Sequence, residues 1–408
     1  MSAAYVSARW DVVIAGAGPA VVATAVALLD GDRALRGRVL VLDRARFPRD
    51  KPCGGGLTGR AEEAMRALGL GLRVPALPSP RARVRYGAVE RAIDLPRPVT
   101  IVRRIDFDAS LVAQARERGV EVREGTPLEE FAVGPAGVTV RAGGEQFEAR
   151  VLVGADGAGS LVRRRLDGGE RERPLRMLCA EVPARGAPDE PMLYDFSPMA
   201  DGLRGYLWKF PAPGGLWNVG LLHAPSPSLG GAALERLARA RLSEQGVHLG
   251  AIRLRGWPAW GYRAGRRVAA EHVITVGDAA GIDALTGEGI AVALEQGRLA
   301  ARAILDGLAR GDLSFAGYRH ALRRATVGRD LALDALAARL LYGAARPERW
   351  LALVLHDPAA LALWAGRVSG TLVLADHKPA LVALLARHLA ARALGRRRLV
   401  GPPPLGAH

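Results

Sequence analysis

The chain has 408 residues, enough to bury a large core in two or more lobes. Its two cysteines, Cys53 and Cys179, exclude a disulfide framework and a cysteine-rich metal site. The net charge of +16 comes from 54 Arg and three Lys spread along the chain, with aromatics at only 5%. That dispersion argues against nucleic acid and for anionic small molecules or an anionic membrane surface.

"WDVVIAGAGPAVVATAVALL" (10–29) predicts a strand, a glycine turn and an apolar helix, and "GRVLVLDR" (37–44) a second strand. This is the opening of a βαβ dinucleotide fold. Gly16-Ala17-Gly18-Pro19-Ala20-Val21 carries the G-x-G-x-x-G spacing with Val21 in place of the last glycine. The first glycine makes the turn, and the second lets a pyrophosphate reach the helix N-terminus, where free N–H groups and the dipole favour anions. The third tightens helix packing, so Val21 predicts a slightly wider crossing. Asp43, followed by Arg44, ends the second strand where a carboxylate accepts from ribose hydroxyls.

"KPCGGGLTG" (51–59) holds Cys53 and the triplet Gly54-Gly55-Gly56, without the spacing or the Lys-Ser/Thr pair of a phosphate loop. Three glycines together predict a close approach of something to the backbone. Residues 61–70 read as helix and 75–100 as Pro- and Arg-rich with short strand pieces. Helix and strand follow in 106–125, and a hairpin leading into a strand in 136–157.

From about 170 to 260 the pattern turns β-rich and aromatic. In "YLWKFP" (206–211) Tyr206, Trp208 and Phe210 share one strand face, while Leu207 and Lys209 take the other. Such a face is an apolar wall for a substrate, or a plain sheet core. Residues 271–305 read as strand, loop and long helix, and the rest from 312 as helical. The apolar run 350–366 is broken by His356, Asp357 and Pro358, so no membrane span is expected. With no signal peptide in view, the expected location is cytoplasmic.

The expected fold class is α/β: a Rossmann-like dinucleotide-binding domain with an inserted β-rich substrate domain and a helical C-terminal tail. The boundaries predicted for the first domain are 8–75, 101–168 and 265–311; those for the substrate domain are 76–100 and 169–264, and the C-terminal region is 312–408. In the tail, "LVALLARHLAARALGRRRLVG" (381–401) joins an apolar helical portion to Arg396, Arg397 and Arg398. It suits a helix lying on the inner face of a membrane, or one packed on the domain.

The fingerprint is followed in order by Arg104 in "RIDFD" (104–108), Asp156-Gly157 in "VLVGADGAGSLVRR" (151–164) and Gly277-Asp278 in "VITVGDAAG" (273–281). With these, the chain resembles the flavoprotein superfamily of the para-hydroxybenzoate hydroxylase type over roughly residues 10–310. "PCGGGL" (52–57), "TGEGI" (286–290) and "YLWKFP" are similar to its geranylgeranyl reductase branch.

The resemblance implies FAD as cofactor. Gly16, Gly18, Pro19 and Ala20 would face its pyrophosphate, Asp43 and Arg44 its adenosine ribose, and Arg104 the pyrophosphate or ribityl region. Gly277 and Asp278 would hold a ribityl hydroxyl, while Asp156 and Gly157 fix the loop passed by FAD and the nicotinamide donor. Gly287, Gly289 and Ile290 would turn backbone N–H groups to the flavin ring, stabilising its reduced form. Cys53, Gly54 and Gly55 would lie beside the flavin, and Gly55, Gly56, Tyr206, Trp208 and Phe210 beside an isoprenoid substrate. No second G-x-G-x-x-G occurs, so NADPH would dock transiently.

The implied reaction is hydride transfer from reduced flavin to an isoprenoid carbon–carbon double bond. It needs a proton donor, for which Cys53 and Tyr206 are the candidates. The same fold also serves FAD-dependent NAD(P)H monooxygenases, which hydroxylate or epoxidise apolar or aromatic substrates. A flavin-dependent halogenase would show W-x-W-x-I-P and a catalytic lysine; here Tyr206 replaces the first Trp, and Lys209 faces away from the wall.

Overall fold

The computed structural model describes residues 9–168, 173–185, 190–226, 229–344 and 346–393. Strands Val273–Thr275, Glu145–Gly154, Arg9–Ala15, Val39–Asp43 and Glu121–Glu124 lie side by side and parallel in that order. A hairpin of Leu128–Gly134 and Gly137–Ala142 pairs onto the edge of Glu145–Gly154, and Ala269–Ala270 completes an eight-stranded sheet. Val12, Val13 and Ile14 are fully buried, because a parallel sheet is covered on both faces. Arg9–Ala15 has Val39–Asp43 on one side and Glu145–Gly154 on the other, so the strand order reverses there. Its carboxyl end is the switch point where open α/β sheets bind ligands.

Helix Pro19–Gly31 starts at that end, with proline in the first turn where no N–H is needed. It packs against the long helix Ile290–Arg310. Their close crossing is made by Gly297, where a Cβ would stand 2.6 Å from the Ala20 carbonyl oxygen.

The second sheet also has eight strands, in the order Arg255–Ala259, Leu175–Pro183, Leu216–His223, Gly205–Ala212, Met192–Asp195, Ala76–Tyr86, Val89–Val102, Gly56–Leu57. Gly205–Ala212 is buried along its whole length. The Pro- and Arg-rich segment forms two long antiparallel strands in place of the short pieces expected. Register slips between Ser79 and Arg81, and beyond Val89–Val102 lies only a two-residue edge strand, both of which accommodate proline.

Helices Tyr318–Arg324, Thr326–Tyr342, Glu348–His356, Pro358–Ser369 and Lys378–Ala393 follow among the described residues. The apolar run 350–366 folds as two of these, bent by 94°. Asp357 makes the corner by accepting from Ala359 and Ala360 N–H at 2.8 and 3.2 Å. No single helix among the described residues is long and apolar enough to cross a membrane. Arg396, Arg397 and Arg398 lie outside the described residues. Trp364 meets Tyr194 edge-on at 5.1 Å, which seats the helical region on the aromatic strands.

Candidate active site

A cleft of about 610 Å³ opens at the carboxyl end of Arg9–Ala15 and takes its walls from both sheets. Every candidate site residue named from the sequence lines it. So do Lys51, Thr58, Tyr194, Trp257, Glu288 and Arg367, to which the sequence reading gave no role in the site.

At the nucleotide end Gly16 holds φ +105°, and a Cβ there would lie 2.3 Å from the Ala155 carbonyl oxygen. A Cβ on Gly18 would meet only Arg49 Nη2 at 3.8 Å, so the helix N-terminus is open to a phosphate. Asp43 Oδ1 accepts from Ala45 N–H at 2.7 Å, fixing its carboxylate at the cleft edge. Asp156 accepts from the Ser160 hydroxyl and from Leu161 N–H, capping helix Leu161–Asp167 and shaping the turn before it.

Asp278 sits just after the short strand Val273–Thr275, and Lys51 Nζ reaches its Oδ2 at 2.6 Å. Arg104 lines the cleft, and its guanidinium forks onto Asp108 with two hydrogen bonds of 2.7 Å. Burial opposes both charges, yet each partner more than offsets it, so Arg104 is raised and Asp108 lowered from its ordinary value. Arg49 adds a third hydrogen bond to Asp108 at 2.9 Å. These are permanent charges under the cleft floor.

The glycine triplet makes room first for the chain itself. Gly55 has φ +75°, and its Cβ would fall 2.1 Å from the Val102 carbonyl oxygen. A Cβ on Gly54 would press the Phe210 ring at 3.1 Å. The triplet thus lets this loop lie against the second sheet, where Asn218 Nδ2 donates to the Cys53 carbonyl at 2.8 Å. Cys53 Sγ accepts from Gly55 N–H at 3.4 Å.

Tyr206, Trp208 and Phe210 pack in sequence, with ring centres 6.2 and 6.4 Å apart, and Tyr194 and Phe196 join them. The stripe is both core and cleft wall: Trp208 is 3% exposed, and its Nε1 donates to Asn218 Oδ1 at 2.9 Å. The Tyr206 hydroxyl donates to the Thr286 carbonyl. Burial first, then Tyr194, hold that phenol well above its ordinary value. Lys209 leaves the other face, 2.9 Å from Glu190 and above the Trp217 ring.

The loop Asp283–Gly289 leads into helix Ile290–Arg310. Asp283 accepts from Leu285 N–H at 2.6 Å and from Thr286 N–H at 3.2 Å, and the Tyr342 hydroxyl donates to the Leu285 carbonyl. Glu288 accepts from Thr58 Oγ1 at 2.6 Å and from Arg367 Nη1 at 2.7 Å. Burial pushes Glu288 up, but Arg367 and Arg60 outweigh it and keep the carboxyl below its ordinary value. No motif marks Arg367; only the topology brings it here.

Residues 9–184 match the family described as FAD binding domain. The open helix N-terminus at Gly18, with the carboxylates of Asp43 and Asp278 at the cleft, fits a dinucleotide carrying ribose and ribityl hydroxyls. Fold and site together define an FAD-dependent oxidoreductase. Over 332 residues the chain is 30% identical to menaquinone reductase of Mycolicibacterium smegmatis, covering 73% of this chain and 77% of that one. It is likewise 30% identical over 333 residues to chloroplastic geranylgeranyl diphosphate reductase of Oryza sativa subsp. japonica, covering 74% and 68%. Among solved structures, a geranylgeranyl bacteriochlorophyll reductase-like protein of Thermoplasma acidophilum superposes with TM-score 0.74 at 20% identity, covering 93% and 99%. The chain belongs to the geranylgeranyl reductase family of FAD-dependent oxidoreductases.

Proposed function

We propose that the enzyme reduces carbon–carbon double bonds of an isoprenoid chain. The observation that carries this reading is the aromatic wall of Tyr194, Tyr206, Trp208 and Phe210, which shares one cleft with the nucleotide cradle. Menaquinone and geranylgeranyl diphosphate, the compounds in two relatives' names, both bear such a chain.

FAD, reduced by NADPH or another donor, would supply the hydride. The protein's part is to hold the double bond still, exclude water and place a proton at the second carbon. The wall gives apolar contact along the chain. The N-terminus of Ile290–Arg310 borders the cleft, and its dipole would favour negative charge on a reduced flavin held there. Of the two proton-donor candidates, Tyr206 already donates its proton to Thr286. Cys53, half-buried on the cleft wall, is therefore the proposed donor.

A polyprenyl lipid must be met at a surface or delivered by a carrier. Val382 and Leu389, exposed on the same face of Lys378–Ala393 two turns apart, support contact with the inner face of a membrane. The halogenase reading loses support because Lys209 is held by Glu190.

Turnover under strict anaerobiosis, with chemically reduced enzyme and a prenylated quinone or diphosphate, tests the reading. A product heavier by two hydrogens per bond supports it. Activity only with oxygen, and a product heavier by oxygen, would place the enzyme with the monooxygenases.

A further inference from the structure

Arg367 is 4% exposed and lies in the last turn of Pro358–Ser369, almost eighty residues beyond the loop it holds. Its guanidinium meets three carboxylates: Glu288 at 2.7 Å, Asp334 at 2.7 Å and Asp283 at 3.1 Å. Two of those, Asp283 and Glu288, belong to the loop that enters helix Ile290–Arg310. The third stands on Thr326–Tyr342. Beside this group Arg60 joins Glu295 and Asp330 at 2.9 and 2.8 Å.

The contact reaches the glycine-triplet loop as well. Thr58 Oγ1 shares the Glu288 carboxylate, and Gly370 packs so tightly that a Cβ would lie 2.8 Å from Thr58 Oγ1. Four stretches distant in sequence are thus fastened at one point, and both Glu288 and Arg367 border the cleft. A buried charge of this kind is a poor source of stability, since apolar residues could fill the space as well. What it supplies is geometry: a planar fork holds four carboxylate oxygens in fixed directions, where a lysine offers three N–H groups on one rotating ammonium.

We propose that Arg367 is a positioning residue of the flavin site, setting the shape of the Thr286–Gly289 turn through Glu288. The C-terminal helices are then a structural part of cofactor binding. The inference rests on the FAD assignment and not on the isoprenoid substrate, so its test uses no turnover.

The test titrates FAD into flavin-free enzyme, recording the bound-flavin absorption spectrum and the midpoint potential, for wild type, Arg367→Lys and Thr58→Val. Melting curves of the flavin-free proteins report folding. Arg367→Lys keeps the charge and loses the fork, so FAD should bind about tenfold more weakly. The spectrum and potential should also change, while flavin-free melting stays near wild type. Thr58→Val, which removes the other partner of Glu288, should move the same readouts in the same direction. Folded Arg367→Lys with wild-type affinity, spectrum and potential would overturn the proposal. If that variant fails to fold, unchanged readouts in Thr58→Val overturn it equally.

Discussion

Lys51 and Asp278 stand 227 residues apart in sequence, yet the ammonium lies 2.6 Å from the carboxylate at the mouth of the nucleotide cradle. Both side chains are largely shielded, so removing one partner leaves the other charge stranded away from water. Asp278→Ala should yield protein that purifies without yellow colour, and Lys51→Met a partial loss. Flavin content per chain, read from absorbance after gel filtration, checks both; a full complement in Asp278→Ala contradicts the ribityl assignment.

The aromatic wall serves stability and substrate together. Trp208→Ala should cost about 3–5 kcal/mol by denaturant unfolding, as for a buried tryptophan. Trp208→Phe keeps most of the surface but strands Asn218 Oδ1, at a cost of about 1–3 kcal/mol. Its FAD content should match wild type while prenyl turnover falls. Loss of flavin in parallel with activity would mean that the wall is core alone.

Two buried groups should give opposing pH dependences. Burial first, then Asp283, push Asp334 up to about 7 from 3.8. The folded state keeps that proton, so this stability is full below the ordinary carboxylate range and lost as pH rises toward 7. Burial first, then Arg176 and Arg204, push His223 down to about 4 from 6.5, and its Nδ1 accepts from Arg204 N–H. That stability is full above 6.5 and lost as pH falls to 4.

Between those limits the two slopes, each up to about 1.4 kcal/mol per pH unit, offset one another. Urea unfolding of Asp334→Asn should therefore show stability falling toward acid. His223→Gln should show it falling toward neutrality. Two flat profiles would remove both groups from the account.

In the glycine triplet, the first two positions should separate cleanly. Gly55→Ala meets a backbone carbonyl at a left-handed φ, so expression as soluble protein should drop sharply. Gly54→Ala meets only the movable Phe210 ring and should fold, keep FAD and alter which prenyl chains are accepted. Equal melting temperatures for the two variants would disprove the distinction.

The strand, turn and helix around Gly16 and Gly18 were legible because local chemistry decides them: a β-branched run, a left-handed glycine and a proline opening the helix. The break at His356–Pro358 was legible for the same reason. The hairpin 76–102 was not, since its prolines look like breakers until sheet position shows that their missing N–H groups do no harm. The pairing of Arg104 with Asp108, one helical turn on, was not legible, because the motif around Arg104 says nothing of it. Lys51 and Arg367 were given no role: their partners are chosen by the tertiary fold, and neither carries a local signal.

The meeting of Thr58, Glu288 and Arg367 also fixes an order of events during synthesis. The dinucleotide fingerprint leaves the ribosome long before Arg367, the last of the three fastening residues in chain order. Domains otherwise tend to fold as they appear. Here the nascent chain must wait, with an apolar, half-built cleft, for its final helices. Cofactor loading is then a late step, and ribosome-stalled chains ending before Pro358 should carry no flavin.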